Sequence, residues 1–335
     1  MVEIINYYIE VLILEKPTKK EWANLMQTCT SCKRRDAVFQ RVYSGEKLCA
    51  RCFCGSVEDK VRAAISEYNM LERNDRVAVA VSGGKDSAAL LHILAKIEKG
   101  FPDASLCAVT VDEGVKGYRG EAVKFVSENC EKLGVEHVVV SFKELYGVEL
   151  DELVNMLERR EKKLTPCAYC GVLRRKALNK AAREVGASKL ATAHNLDDEA
   201  QTVILNILHG DALRIVRVKP LTAKVHPKLV QRIKPFCLVP EREITFYMYL
   251  KNIQFQSRPC PYAGAALRND VRTMLNRVEH KHPGAKFTVF RSAEKVRFVL
   301  EGLVEGKELR ECKLCGEPTS GEICKACKMI RELEL

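Results

Sequence analysis

The sequence VAVAVSGGKDS at residues 77–87 decides the fold of this chain. Its first five residues form a continuous valine-rich run, which is typical of a strand buried on both faces of a parallel sheet. Residues 88–99 follow with the apolar spacing of a helix, at positions 90, 91, 94 and 97. A buried strand, a glycine-rich turn and a helix in this order predict the first unit of a doubly wound α/β fold with a parallel sheet.

The turn at residues 82–87, SGGKDS, has the chemistry of a phosphate cradle. Two glycines let the backbone approach phosphates closely, the start of the helix supplies free N–H groups, and both serines can donate to phosphate oxygens. The spacing differs from the Gly-x4-Gly-Lys-Ser/Thr loop of ordinary P-loop NTPases. We therefore expect an anion site of another kind.

The same alternation continues along the chain. Strands are predicted at residues 106–111, 137–140 and 189–192, and helices at 120–133, 172–185 and 199–209. Residues 211–300 are more basic and less regular, with one predicted helix at 269–282 whose apolar face holds Val271, Met274, Leu275 and Val278. The segments TVDEG (110–114) and AHNLDD (193–198) follow strands, so both should lie at the sheet edge that carries the SGGKDS turn.

Composition bounds the class of protein. The chain has 335 residues, 47% apolar and 30% charged, which indicates a globular protein of about two domains. No apolar run approaches the roughly 20 residues of a membrane span, so we expect a cytoplasmic protein without a membrane partner. Its net charge is +11, and residues 151–335 hold the excess with 34 basic against 22 acidic side chains. A polyanionic partner or an idle basic surface would both explain this excess.

Fifteen cysteines include five Cys-x2-Cys pairs. Four of these pairs form two compact sets, with 16 residues between the pairs of the first set and 8 between those of the second. These spacings predict a four-cysteine zinc ribbon at each end of the chain, with a redox dithiol or a cluster as alternatives. The predicted zinc ligands are Cys29, Cys32, Cys49, Cys52, Cys312, Cys315, Cys324 and Cys327.

The fifth pair, Cys167 and Cys170, has no second pair nearby, and the nearest unpaired candidate is Cys260. Three thiolates are one ligand short of a closed zinc site. A [4Fe-4S] cluster held by three cysteines would leave one iron open to an exogenous sulfur, whereas a redox or simply buried pair is the alternative. The remaining cysteines, Cys54, Cys107, Cys130 and Cys237, have no predicted role.

The motifs together resemble a known family. SGGKDS after a buried strand resembles the PP-loop of the N-type ATP pyrophosphatases, whose fold is adenine nucleotide alpha hydrolase-like. AHNLDD is similar to the GHNxDD segment of tRNA-modifying PP-loop enzymes, with Ala193 in place of glycine. With VDEGVKGYR (111–119), CAYCGVLRR (167–175), RPCPY (258–262) and the two ribbons, residues 29–327 resemble the TtuA and Ncs-type tRNA 2-thiouridine synthetases of the PP-loop superfamily.

This resemblance implies an activity. ATP, with Mg²⁺, would adenylate the C2 carbonyl oxygen of a tRNA uridine and release pyrophosphate, and sulfur from the thiocarboxylate of a ubiquitin-like carrier protein would then replace the AMP. It implies a [4Fe-4S] cluster on Cys167, Cys170 and Cys260, and catalytic roles for Lys85, Asp86, Arg174 and Asp198. The implied ATP-binding residues are Ala80, Val81, Ser82, Gly83, Gly84, Lys85, Asp86, Ser87, Val111, Arg174, Ala193 and Asp198. Arg268, Arg272 and Arg277, on the polar side of the late helix, would contact tRNA phosphates.

The predicted division is an N-terminal extension at 1–26, a zinc ribbon at 27–60, a PP-loop catalytic domain with a tRNA-binding C-terminal part at 61–305, and a second ribbon at 306–335. An alternative start at Met26 would remove the extension. Three rival functions are a cluster-free persulfide mechanism for the same thiolation, a PP-loop ligase of a small metabolite, and a zinc-ribbon nucleic-acid binder without activity. The target uridine is either the wobble or the T-loop one, and the terminal ribbons are candidate contacts of a homodimer.

Overall fold

A computed structural model describes residues 27–159, 165–263, 267–300 and 309–333. The N-terminal extension therefore lies outside the described residues. The predicted domain limits stay a prediction, although one helix, Ala50–Glu67, runs across the limit between residues 60 and 61.

A five-stranded parallel sheet forms the centre. Across the sheet, the strands follow in the order β5 (Glu136–Ser141), β4 (Ser105–Asp112), β3 (Arg76–Ala80), β6 (Lys189–Ala191) and β7 (Gln231–Ile233). The four predicted strands are confirmed within two residues at each end, together with the doubly wound α/β class. The fifth, β7, was not predicted because Ile233 is the single apolar residue among its three.

Helices cover both faces of the sheet. The main core lies on one face, where the buried side of Lys85–Glu98 packs between the sheet and Glu241–Lys251, and Pro166–Glu184 packs on the other face. The helices in the described ranges are α1 (Ala50–Glu67), α2 (Lys85–Glu98), α3 (Arg119–Leu133), α4 (Phe142–Tyr146), α5 (Leu150–Arg159), α6 (Pro166–Glu184), α7 (Leu196–Leu208), α8 (Ala212–Arg217), α9 (Glu241–Lys251), α10 (Leu267–Lys281), α11 (Ala285–Leu300) and α12 (Lys325–Arg331).

The region after residue 211 is more regular than predicted. It contains four helices in its described part, α8 to α11, of which only α10 was predicted. The apolar face of α10 is also narrower than expected, because Val271 and Leu275 are buried whereas Met274 and Val278 are exposed. Within the described ranges, every helix is too short or too polar to cross a membrane.

The N-terminal ribbon is a hairpin of β1 (Phe39–Gln40) and β2 (Lys47–Leu48) followed by the first turn of α1. Its Phe39 ring lies 4.5 Å from Phe53 and 5.1 Å from Phe246 of α9, so the ribbon shares the main core. A buried ion pair fixes the same junction, since Arg41 Nη2 lies 2.8 Å from Glu243 Oε2. This ribbon is therefore an integral part of the fold.

The C-terminal ribbon is a hairpin of β8 (Arg310–Glu311) and β9 (Pro318–Thr319) followed by α12. It packs on α6, where Met329 joins the buried cluster of Leu173, and Arg183 Nη2 lies 2.6 Å from Glu317 Oε1. Helix α6, which begins with the Cys167 and Cys170 pair, therefore also carries this ribbon.

Candidate active site

The SGGKDS turn forms a preformed cradle between β3 and α2. Ser87 Oγ donates to the Gly84 carbonyl at 2.9 Å and lies 3.2 Å from Ser82 Oγ. Gly83 has φ +89°, and a Cβ there would lie 2.7 Å from the Cβ of Ala122 on α3. Only glycine fits this position, so the loop presses closely on α3 and leaves its N–H groups at the start of α2.

Lys85 is held between two carboxylates. Its Nζ lies 2.8 Å from Asp86 Oδ2 and 2.7 Å from Oε1 of Glu241, at the start of α9. Burial opposes the charge of Lys85, but the two carboxylates raise its pKa above the ordinary value. Burial raises the pKa of Asp86. Glu241 was missed by sequence reasoning because it stands 156 positions from Lys85.

Asp198 faces the same site from the start of α7. Asn195 caps this helix, since its Oδ1 accepts from the Asp198 N–H at 3.0 Å while the Asp198 carboxylate accepts from the Asn195 N–H at 3.2 Å. Burial, with the nearby charges of Asp86 and Glu241, raises the pKa of Asp198 to about 6. A cluster of three acids at a phosphate cradle can receive a divalent cation.

Asp197 points away from the cradle. Its carboxylate contacts Lys286 Nζ of α11 and accepts from the Glu241 N–H at 2.8 Å. Of the two acids in AHNLDD, Asp198 therefore belongs to the site and Asp197 joins α7 to α9 and α11.

Arg119 links the ends of β3 and β4 through its guanidinium. It was not predicted as a site residue, although it is the last residue of the VDEGVKGYR motif. Its Nη1 donates to the Ser82 carbonyl at 2.9 Å, and its Nη2 donates to the Val111 carbonyl. Its Nε lies 2.8 Å from the buried Glu113 carboxylate, whose other oxygen lies 3.5 Å from Arg174 Nη1 of α6. Arg174 is half exposed, and its charge also acts on Cys170, one turn earlier on α6.

The apolar residues of the predicted ATP site lie at the same sheet edge. Ala80 ends β3, and the N–H of the buried Val81 donates to the Val109 carbonyl at 2.9 Å. Val111 is buried near the end of β4, and Ala193 follows β6 against the main core.

The predicted phosphate contacts on α10 differ in their surroundings. Arg268 lies 3.8 Å from Asp198 and donates to Gln201 Oε1 at 3.2 Å, so its side chain leans toward the cradle. The charge of Arg272 acts on Glu241, whereas Arg277 is exposed. Their contact with tRNA stays a prediction.

A ring of cations surrounds His194, which follows β6. Burial lowers the pKa of His194 to about 3, and the charges of Lys234, Arg268, Arg232 and Arg174 lower it further. Arg232 lies in β7 and Lys234 directly follows it, while Arg268 lies on α10 and Arg174 on α6. Positive charge therefore reaches this rim of the site from three elements.

The three cysteines of the predicted open site converge at the start of α6. Cys167 is exposed and its Sγ lies 3.2 Å from the Tyr262 carbonyl, while Cys170 and Cys260 are half-buried. Burial raises the pKa of Cys170 to about 12, although the charge of Arg174 lowers it. The three sulfurs do not all lie within 4.8 Å of one another, so the site is wider than a single zinc ion requires.

Each ribbon brings four sulfurs within 4.8 Å of one another, as predicted. A zinc ion bonded to four thiolates at about 2.3 Å in a tetrahedron places neighbouring sulfurs about 3.8 Å apart. Cys32 and Cys49 lie 3.9 Å apart, and Cys315 and Cys324 lie 3.7 Å apart. Although burial opposes it, backbone N–H groups lower the pKa of Cys29 and of Cys312 to about 6, which favours the thiolate. Both groups could hold a structural zinc ion.

Comparison with known proteins identifies the family of the chain. A family model described as a PP-loop domain matches residues 56–279. The tRNA 2-thiolation protein NcsA of Haloferax volcanii is 36% identical over 321 residues, which cover 91% of this chain and 99% of the relative. Cytoplasmic tRNA 2-thiolation protein 1 of Saccharomyces cerevisiae is 32% identical over 328 residues, covering 96% and 89%.

A solved structure described as the U34-tRNA thiolase NcsA from Methanococcus maripaludis with its [4Fe-4S] cluster superposes with a TM-score of 0.78 at 34% identity, covering 91% of this chain and 96% of that one. The resemblance seen in the motifs is thereby confirmed. The chain belongs to the PP-loop superfamily and, within it, to the family of NcsA-type tRNA 2-thiolation proteins.

Proposed function

We propose that this protein is an ATP-dependent tRNA sulfurtransferase that converts a uridine to 2-thiouridine. The proposal is supported by a series of contacts: Arg119 joins the Ser82 carbonyl to Glu113, and Glu113 lies 3.5 Å from Arg174. The charge of Arg174 in turn acts on Cys170, so the contacts connect the phosphate cradle with the predicted three-cysteine site. The first site activates a carbonyl, and the second supplies a sulfur to it. A metabolite ligase would leave the cysteine site without a purpose.

The activating half-reaction uses the cradle. Ser82, Gly83, Gly84 and Ser87 would hold the phosphates of ATP, and the C2 carbonyl oxygen of the uridine attacks the α-phosphorus while pyrophosphate leaves. Lys85 and Arg174 would neutralise the charge that develops on the phosphates.

Asp86 and Asp198 would orient a Mg²⁺ ion that accompanies ATP. The acidic cluster supports this assignment, because burial and its neighbours disfavour the ionised form of Asp198 until a cation arrives.

The sulfur half-reaction uses Cys167, Cys170 and Cys260. A [4Fe-4S] cluster bound by three thiolates leaves one iron with an open position for an exogenous sulfur. The donor set fits such a cluster, since three thiols converge on a space wider than a zinc ion needs. Sulfide (HS⁻) would attack the adenylated C2, and AMP would leave with the original oxygen, so the sulfur keeps its oxidation state and no electrons are exchanged.

The persulfide alternative requires a cysteine that ionises without a metal. Burial raises the pKa of Cys170 to about 12, which disfavours a free thiolate at this one of the three positions. We prefer the cluster because the solved relative of 34% identity is described with a [4Fe-4S] cluster.

The partners extend the proposal. The substrate is tRNA, and because the solved relative is described as a U34-tRNA thiolase, uridine 34 is the preferred target. The sulfur donor would be a ubiquitin-like carrier thiocarboxylate. Two copies could pair through the ribbons, which expose Val38, Val42 and Leu314. The names of the eukaryotic relatives favour a cytoplasmic location.

The test is a defined reaction of anaerobically reconstituted protein with tRNA, Mg²⁺-ATP and sulfide. We expect one AMP and one pyrophosphate for each 2-thiouridine found by nucleoside mass spectrometry. Asp86→Asn should abolish pyrophosphate release, whereas Asp103→Asn, in the loop before β4, should not. Formation of ADP, or full thiolation by Asp86→Asn, would contradict the proposal.

A further inference from the structure

Arg175 and Arg232, which take no part in the proposed reaction, lie next to each other on the α6 face of the sheet. Arg232, in the middle of β7, donates from its Nη2 to the Arg175 carbonyl of α6 at 3.2 Å. The Nη1 of Arg175 lies over Gly171, where a Cβ would stand 3.4 Å from it. The missing side chain at Gly171 therefore leaves room for this guanidinium beside the Cys-x2-Cys turn.

Neither guanidinium has a carboxylate partner among the described residues, whereas Arg183 on the same helix pairs with Glu317 at 2.6 Å. Burial and the charge of Arg175 lower the pKa of Arg232, and burial and the charge of Arg174 lower the pKa of Arg175. Adjacent like charges without an anion are unfavourable, and an incoming anion would relieve that cost.

Their position is next to the reaction centre and apart from the phosphate cradle. Arg175 follows Arg174 directly, and Arg232 lies opposite Leu190 on β6, the strand that leads to His194. The charge of Arg232 also lowers the pKa of His194. The phosphates of ATP would occupy the cradle at residues 82–87. An anion that binds to Arg175 and Arg232 would therefore be a different group from the ATP phosphates.

We propose that Arg175 and Arg232 together bind one backbone phosphate of the tRNA, beside the uridine that is thiolated; this inference rests on the proposed function. Guanidinium groups present paired N–H donors that match phosphate oxygens, and a phosphate contact sets the register of an RNA strand without reading its sequence. The contact would hold the target nucleotide between the cradle and the three-cysteine site.

The test measures tRNA binding over a range of salt concentrations, for the full protein and for Arg175→Gln, Arg232→Gln and the double variant. Arg62→Gln, an exposed arginine of α1, is the matched control for loss of one charge. Loss of one phosphate contact lowers the slope of log K against log salt by about 0.7–0.9. Since both arginines hold the same phosphate, we expect about this decrease in each single variant and no further decrease in the double variant.

Several outcomes would overturn the inference. The first is that the wild type binds tRNA and both single variants show the same slope of log K against log salt as the wild type. The second is that the variants bind tRNA as the wild type does but have a raised KM for ATP or for the sulfur carrier. Arg175→Gln removes no side-chain hydrogen bond found in the structure, so it remains informative even where Arg232→Gln lowers stability. A wild type that does not bind tRNA at all would contradict the proposed function itself, which separates the two failures.

Discussion

Replacing Gly83 by alanine should disrupt the phosphate cradle while the same change at Gly84 should not. At Gly83 the new Cβ would lie 2.7 Å from the Ala122 Cβ and 3.0 Å from its Cα and carbonyl oxygen, and φ is +89°. Backbone strain of about 1–2 kcal/mol and overpacking of about 1–3 kcal/mol predict a loss of about 2–5 kcal/mol in unfolding free energy. At Gly84 the nearest atom, Ser82 Oγ, is 3.6 Å away, so we expect less than about 1 kcal/mol.

The unfolding free energies of both variants are measured by urea titration of the metal-loaded protein, followed by far-UV circular dichroism. Ala122→Gly supplies an internal check, because removing the clashing methyl group should recover part of the loss in the double variant, with a coupling energy of about 1 kcal/mol or more. ATP affinity should fall with Gly83→Ala. Equal stability of the two glycine variants, or no coupling with Ala122→Gly, would refute the packing argument.

Three further outcomes follow from the contacts. Glu243→Gln removes the carboxylate that the buried Arg41 shares with Lys60 and leaves Arg41 paired with the partly exposed Glu46, so it should cost at most about 3–5 kcal/mol. Glu67→Gln at an exposed pair should cost less than about 1 kcal/mol. Burial opposes the charged form of Glu243, but Lys60 and Arg41 together lower the pKa of this carboxyl. The ion pairs of Glu243 therefore stabilise the fold at neutral pH, and this contribution is lost as the pH falls below about 4. In urea titrations at acid pH, the difference in unfolding free energy between wild type and Glu243→Gln should therefore become smaller. Cys324→Ser should speed hydrogen exchange in residues 310–331 and leave β3 protected, since a ribbon this small folds around its metal. Arg174→Ala should slow pyrophosphate release about 100-fold with unchanged stability, and Arg174→Lys should restore much of the rate.

The parts of the fold with a local signal could be predicted from the sequence. The run at residues 77–81 is apolar at every position because both faces of β3 are covered, and cysteine spacing alone located both ribbons. Parallel strands end at one edge, so TVDEG and AHNLDD were expected beside the cradle, and Asp198 does lie there.

The remaining features depend on partners far apart in the sequence. Glu241 reaches Lys85 across 156 positions, and Lys286 reaches Asp197 across 89, so neither pair leaves a local pattern. Helix α9 was missed because its polar and apolar residues do not form one stripe, and Arg268 turns toward Asp198 although its spacing places it on the polar side of α10. Side-chain pairing, unlike backbone periodicity, is decided by tertiary packing.

Metal content measured together with thiolation tests the central claim most directly. We expect about four iron and two zinc atoms per chain in anaerobically purified protein. Cys260→Ala should keep the zinc, lose the iron and form no 2-thiouridine, while Cys54→Ala, a buried cysteine near the N-terminal ribbon, should keep all three. A colourless, iron-free wild type that thiolates tRNA at full rate, or a Cys260→Ala protein that keeps iron and activity, would contradict the account.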